Sequence, residues 1–295
     1  MCIEADNFIA RTSGLNFAHT NAYRNFICGL VTDGVWTKFD ALWVLYTQDA
    51  STAALNLVSS SFTITVQGAP PFVADAGYTG VDSSNVDYLD TNYNPVTNGS
   101  NYIQNSAHLA CVILNNVERG APALGADDGS TKFMHIYPRY TDGNTYSRIN
   151  SNGDSGVAVA DSLGMYVGSR TGASTVTEYK NGSSIATPGT TSTGMPSFNL
   201  FITASSNAGL AIGASFQVAM ASVGAGLTGT DATNFYNRFN TYKNDIANPP
   251  SSGCPHTLLT MGAGCGIWAA KRLEENPILT RRGLLVPRLP RKDFR

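Results

Sequence analysis

Apolar residues in this chain follow two rhythms, and the change between them near residue 60 divides it. Within residues 15–32, LNFAHTNAYRNFICGLVT, the side chains Tyr23, Phe26, Ile27, Leu30 and Val31 recur at spacings of three and four, the period of an amphipathic helix. Gly34 ends that pattern, VWTKFD offers a short helical turn, and ALWVLYT (residues 41–47) is a β-like run. Beyond residue 60, short β-branched and aromatic runs alternate with Gly, Asn, Asp and Ser. SFTITVQG places Phe62, Ile64 and Val66 on one face, as a half-buried strand does. Further strands are expected in VDYLDT around residue 88 and at 107–114, 132–139, 145–150, 164–170, 175–187, 198–205 and 215–227. About ten strands with short turns and no long helices between them predict an antiparallel sandwich or barrel and argue against a βαβ sheet.

Local chemistry sharpens two places. Asn181-Gly182 lies between two alternating runs and supplies the positive backbone angles of a type I′ hairpin turn. Thr228 and Asp231 then offer capping groups for a helix whose Phe235, Phe239, Tyr242 and Ile246 share a face, and Asn248-Pro249-Pro250 stops it. The expected organisation is a helical lead over residues 1–37, one β domain over 38–248 and a tail over 249–295.

Composition sets the tail apart. Charged residues are only 14% of the chain, against about 25% in an average domain. Residues 1–250 hold 11 Lys+Arg against 18 Asp+Glu, whereas residues 251–295 hold 8 against 3. With a formal net charge of −2, nucleic acid is not an expected partner of the chain as a whole. The basic tail, with Pro at 255, 277, 287 and 290, is expected to be disordered and to serve as an attachment segment, for example to other virion proteins. Five cysteines in no framework spacing argue against a disulfide scaffold and for a reducing compartment. The opening MCIEADNFIARTSG has no apolar h-region, and no 18-residue apolar run occurs, so a soluble protein of virion or cytoplasm without a membrane span is expected.

Residues 175–246, with Tyr179-Lys180-Asn181-Gly182, the NLFITAS run, SFQVAMASVGAGL and the Thr/Asp-capped helix, resemble the last third of laminin-G-like and concanavalin A-like jelly rolls. Upstream, residues 72–80, YLDTNYNP at 88–95 and YIQNSAHLA at 102–110 are similar to jelly-roll proteins of bacteriophages and prophage-bearing bacteria. The resemblance implies a two-sheet antiparallel jelly-roll sandwich with an N-terminal helix and a short C-terminal helix. It implies no single activity, because this fold hosts lectins, glycosidases, lyases and structural modules. The paired-carboxylate strand of laminarinase-like glycosidases is missing: Glu4, Glu118, Glu178, Glu274 and Glu275 occur in no such motif.

Candidate chemistry lies in IYPRYTDGNTYSRIN, where Tyr137, Arg139, Tyr140, Asp142, Asn144, Tyr146 and Arg148 combine ring faces with hydrogen-bonding groups, as saccharide recognition requires. Cross-strand packing of tyrosines with solvated arginines is the plainer account of the same residues. Asp127-Asp128-Gly129-Ser130 could supply oxygens to Ca²⁺, although a plain turn also explains Asp-Gly. Cys254, His256 and Cys265 fit no tetrahedral zinc spacing and lack a fourth ligand. Three functions therefore stay open: a glycan-binding or adhesion module, a structural virion subunit, and a polysaccharide-cleaving enzyme. Deleting residues 251–295 is expected to leave the β circular-dichroism signal and cooperative melting intact, and loss of either would move the boundary.

Overall fold

The structure, a computed structural model, describes residues 2–153 and 156–249. The basic tail, with Cys254, His256 and Cys265, lies outside the described residues. In chain order come helices α1 (Ile3–Ile9) and α2 (Phe17–Thr32), strand β1 (Phe39–Val44) and the one-turn helix α3 (Ala50–Ala53). Next are β2 (Thr65–Gln67), β3 (Phe72–Val73), β4 (Gly77–Thr79), β5 (Tyr88–Asp90) and the one-turn α4 (Pro95–Asn98). The central strands are β6 (Ala107–Ile113), β7 (Leu124–Asp127), β8 (Phe133–Tyr137), β9 (Asn144–Ile149), β10 (Val157–Ala158) and β11 (Gly164–Gly172). The rest are β12 (Thr175–Lys180), β13 (Ser183–Ala186), β14 (Phe201–Ile202), β15 (Ala204–Asn207), β16 (Leu210–Gly213), β17 (Gln217–Gly224) and helix α5 (Gly229–Ala247).

These strands form two antiparallel sheets packed as a sandwich. The first runs β13-β12-β11-β6-β17-β4-β3, with β1 also paired to β17. The second runs β10-β9-β8-β7-β14-β5-β2, and β15 joins it by pairing parallel to β7 while β16 pairs with β15. Leu109, Cys111, Ile113, Tyr166, Val218, Ala221 and Val223 of the first sheet face Leu89, Leu124, Ala126, Met134, Ile136, Ile149 and Ile202 of the second in one apolar core.

The opposite side of the first sheet is just as apolar. Leu42, Val44, Ala110, Val112, Met165, Val167, Ala219 and Met220 pack there against Phe8, Tyr23, Phe26, Ile27, Leu30, Phe235, Phe239 and Tyr242 from α1, α2 and α5. All seven residues of β6 are therefore buried, because both faces of that strand are covered. The seam is aromatic: Phe26 lies 5.4 Å from Tyr242, Tyr23 5.0 Å from Tyr242, and Phe235 5.0 Å from Phe39, centroid to centroid. Thr228 and Asp231 form the expected capping box at the start of α5. That helix is 19 residues long and belongs to a third layer rather than being a short terminal appendage. The N-terminal helices complete the same layer.

Strands form where alternation is sustained, and the expected runs are cut short where the backbone turns. Asn181 (φ 53°) and Gly182 (φ 78°) make the anticipated primed turn between β12 and β13. SFTITVQG yields only the three residues of β2, because Phe62 sits at φ 60° and its carbonyl accepts from Trp43 Nε1 at 2.8 Å. Likewise 198–205 is not one strand: Thr203 at φ 63° bends the chain between β14, antiparallel to β7, and β15, parallel to it.

His108 is wholly buried on β6, where Nδ1–H donates to the Ala225 carbonyl (2.6 Å) and Nε2 accepts from Ser222 Oγ (3.0 Å). Burial lowers its pKa from the ordinary 6.5 to about 4. The unfolded chain then binds a proton that the folded chain refuses, so stability declines as pH drops below about 6.5 and continues to decline toward about 4. Burial lowers the pKa of His135 as well, in the same direction. Each pH step of one between the unfolded and folded pKa values removes about 1.4 kcal/mol, so urea unfolding should show a loss on the order of 2 kcal/mol between about pH 7 and about pH 4.5. A His108→Gln variant should flatten that fall, and an unchanged slope would assign it to other groups.

Candidate functional site

β8 and β9 form a hairpin in which every second side chain faces away from the core. Met134, Ile136 and Ile149 point inward, while Phe133, His135, Tyr137, Tyr146 and Arg148 take the outer face, with Tyr137 opposite Tyr146 and His135 opposite Arg148. The connecting turn is closed by Tyr140 N–H to the Asn144 carbonyl (2.7 Å) and Gly143 N–H to the Tyr140 carbonyl (2.9 Å), with Gly143 at φ 82°.

The turn folds Tyr140 back over the hairpin. Its ring meets Tyr137 at 5.6 Å and Tyr146 at 5.9 Å, both edge to face. Together with Arg148 and Gly120, these three tyrosines line a pocket of about 320 Å³. At its rim the Tyr146 hydroxyl donates to Asp142 Oδ2 (2.5 Å), and Asn144 Nδ2 donates to the same oxygen (3.0 Å). The Tyr146 hydrogen bond, followed by the Asn144 N–H, holds the Asp142 carboxyl below its usual range. The Arg148 guanidinium lies 5.1 Å above the Phe133 ring.

Six of the seven candidate residues thus converge: Tyr137, Tyr140, Tyr146 and Arg148 line the pocket, and Asp142 and Asn144 flank it. Arg139 does not line it, because β8 ends at Tyr137 and the Arg139 side chain instead pairs with Glu118 (2.8 Å).

Beside the tyrosines, on the same outer face, lies a buried polar cluster that no motif in the chain marks. His135 Nε2 is 2.9 Å from Asp127 Oδ2 and 2.8 Å from Ser205 Oγ, and all three residues are buried. With Nε2–H given to the carboxyl, Nδ1 is left to accept the Tyr137 hydroxyl at 3.4 Å, so the network reaches the pocket wall. Gly125 makes room for the imidazole: a Cβ there would lie 2.4 Å from His135 Cδ2. These groups come from β7, β8 and β15, which no spacing in the chain brings together.

Asp127 and Asp128, the candidate oxygens for Ca²⁺, turn to different partners. Asp127 faces His135 and the Gly129 N–H, while Asp128 Oδ1 accepts the N–H groups of Ser130, Thr131 and Lys132 at 2.9–3.0 Å. A hard cation requires about six to eight converging oxygens. Among the described residues no group of three or more His, Cys, Asp or Glu gathers in a way that could hold a metal. The turn accounts for Asp128 completely.

Another hollow, of about 420 Å³, lies between α5 and the first sheet. Its Lys180 is held by Asp161 (3.0 Å) and its Phe239 and Met165 belong to the helix–sheet seam. No helix among the described residues is long and apolar enough to cross a membrane.

No known family model matches the chain, and no curated protein matches it. Among solved structures it is similar to a mutant Trypanosoma rangeli sialidase displaying trans-sialidase activity, with TM-score 0.53 and 11% identity over 81% of this chain and 38% of that one. Weaker likenesses are the binding domain of Paraclostridial Mosquitocidal Protein 1 (0.47, 11%, 69% of this chain and 53% of that one) and domain 4 of the Geobacillus stearothermophilus arabinanase AbnA, solved with arabinotriose (0.42, 15%, 68% and 98%). The chain thus spans about half or less of the toxin domain and the sialidase. At 11% identity the sialidase likeness bears on the fold alone, and the class it supports is one of architecture, the two-sheet antiparallel β-sandwich.

Replacing Asp127 by Ala leaves the imidazole N–H only the Ser205 oxygen and deprives the buried Ser205 hydroxyl proton and the Gly129 N–H of their acceptor, which should cost about 2 kcal/mol in urea unfolding. Millimolar Ca²⁺ should leave the wild-type melting temperature unchanged. A rise with Ca²⁺ that disappears in Asp127→Ala would restore the metal site.

Proposed function

We propose that this protein is a glycan-binding module whose recognition face is the tyrosine hairpin of β8 and β9. The observation that carries the reading is the pocket in which Tyr137, Tyr140, Tyr146 and Arg148 stand together on a half-exposed sheet face. Sugars present apolar C–H faces and a fringe of hydroxyls. Aromatic rings meet the first, and the Asp142 carboxylate and Asn144 amide at the rim meet the second. Rigid support matters for a weak-binding ligand, and here the rings are packed edge to face on a regular ladder beside a buried polar cluster. Fold likeness adds architecture only.

A virion or cell surface is the setting we propose, on the resemblance of residues 72–110 to phage-associated jelly rolls. A structural virion subunit of the same fold would show no saccharide affinity. Polysaccharide cleavage is the less favoured reading: Glu118 is paired with Arg139, and Glu178 is buried with Oε1 accepting the Ser147 N–H at 3.0 Å, so neither offers a carboxylate in the pocket.

Glycan-array screening followed by calorimetric titration tests the reading. Tyr140 is half-buried against two other rings, and a stacked ring contributes about 1 kcal/mol beyond simple burial. Tyr140→Ala should therefore weaken the best array ligand by about fivefold or more while leaving melting nearly unchanged. Unchanged affinity would eliminate the pocket as the site.

A further inference from the structure

The tyrosine pocket shares a lining residue with a second depression. Gly120, in the segment between β6 and β7, lines both: the first with the three tyrosines and Arg148, the second, of about 390 Å³, with Asp82, Ser83, Glu118, Arg119, Ala121, Ile212 and Gly213. A Cβ built at Gly120 meets no atom within 4 Å, so no packing reason keeps this residue small. Its bare backbone is an element that the two hollows share.

The second depression is organised rather than incidental. Arg119 Nε lies 2.8 Å from Asp82 Oδ2 and donates to Ser215 Oγ at 2.5 Å, while Asp82 Oδ1 accepts the Ser215 N–H at 2.7 Å. Glu118 is fixed by Arg139 at 2.8 Å. The Asp82 and Glu118 side chains keep 47% and 42% of their surface exposed, so their remaining lone pairs face solvent. Ile212, 40% exposed, supplies an apolar wall. Ordered carboxylates beside an apolar surface repeat, without aromatic rings, the chemistry of the first pocket. Arg119 and Arg139 are each neutralised by a carboxylate, and Asp142 adds a negative charge at the far rim.

We infer that the two hollows are adjoining subsites for one neutral oligosaccharide chain, which crosses Gly120 from the tyrosines to Asp82 and Ile212. The inference rests on the glycan-binding reading and adds the ligand's length and charge class. Each hollow alone sits at the lower end of the roughly 300–1,000 Å³ of small-molecule sites, whereas the pair accommodates several linked sugar rings. Acidic saccharides are disfavoured, since the exposed carboxylates Asp82, Glu118 and Asp142 balance Arg119, Arg139 and the pocket-lining Arg148 and leave the groove no cationic excess.

Calorimetry with three homologous neutral ladders tests it: β-1,4-glucan, α-1,4-glucan and α-1,5-arabinan, each from monosaccharide to hexasaccharide, with oligogalacturonate as the acidic arm. For the ladder that binds, affinity should rise by about tenfold or more with length, about 1.4 kcal/mol. Gly120→Trp, whose Cβ enters open space, should remove that rise, and Gly120→Leu should reduce it, with melting curves confirming folded protein. Tyr140→Ala should instead weaken short and long members by the same factor. Equal affinity for monosaccharide and hexasaccharide, a length effect that survives both Gly120 variants, or tighter binding of oligogalacturonate would each overturn the inference. If wild type bound no ladder more tightly than Tyr140→Ala does, the glycan-binding reading itself would fall.

Discussion

Two-sided burial of the first sheet is the constraint on which the rest of the structure depends. β6, β17 and β1 carry apolar side chains in both directions, so one covering layer is not enough. The second sheet covers one face through Leu124, Met134 and Ile136, and the aromatic helix layer covers the other through Phe26, Phe235 and Phe239. Helices drawn from opposite ends of the β region meet on that face, with Arg238 of α5 donating to Asp33 beyond α2 at 2.7 and 2.9 Å. The second sheet has no such layer over β8 and β9 among the described residues. Its outer face can therefore hold partly exposed tyrosines, and the proposed recognition face lies where the packing demand is lowest.

The site follows from that placement. Period-two alternation sends Met134 and Ile136 to the core and hands positions 133, 135 and 137 to the outer face. An exposed aromatic surface needs something to hold its rings in place, and here the hold is polar: His135, Asp127 and Ser205 form a buried hydrogen-bonded cluster beside Tyr137 on the same face. A satisfied buried network of this kind is rigid because every departure leaves a donor or acceptor without a partner.

Much of this is legible in the chain and some is not, for reasons that differ by residue. Tyr23, Phe26, Leu30, Phe235, Phe239 and Tyr242 announce two amphipathic helices through their spacing, yet spacing says nothing about which helix meets which. The unbroken apolar runs at 107–114 and 215–227 do carry the missing signal, because a strand apolar on both faces needs cover on both. β7 is hidden since LGAD has little β-forming character and owes its strand to neighbours on either edge. The tyrosine hairpin is visible because alternation and the Asp-Gly turn are local. Asp127, a calcium candidate from its neighbours in the chain, becomes intelligible only with His135 and Ser205 beside it, and Gly120 has no local mark at all.

On the proposed function the outer face of β8 and β9 is the recognition surface, while β1, β6 and β17 of the first sheet are covered on both faces by structural packing. Amide hydrogen exchange, followed with and without a saturating array-selected oligosaccharide, tests this directly. Protection should appear in peptides covering residues 118–121 and 137–148, with none gained in α2, α5 or β6. Saccharide-dependent protection concentrated in the helix layer, with the hairpin unaffected, would contradict the account.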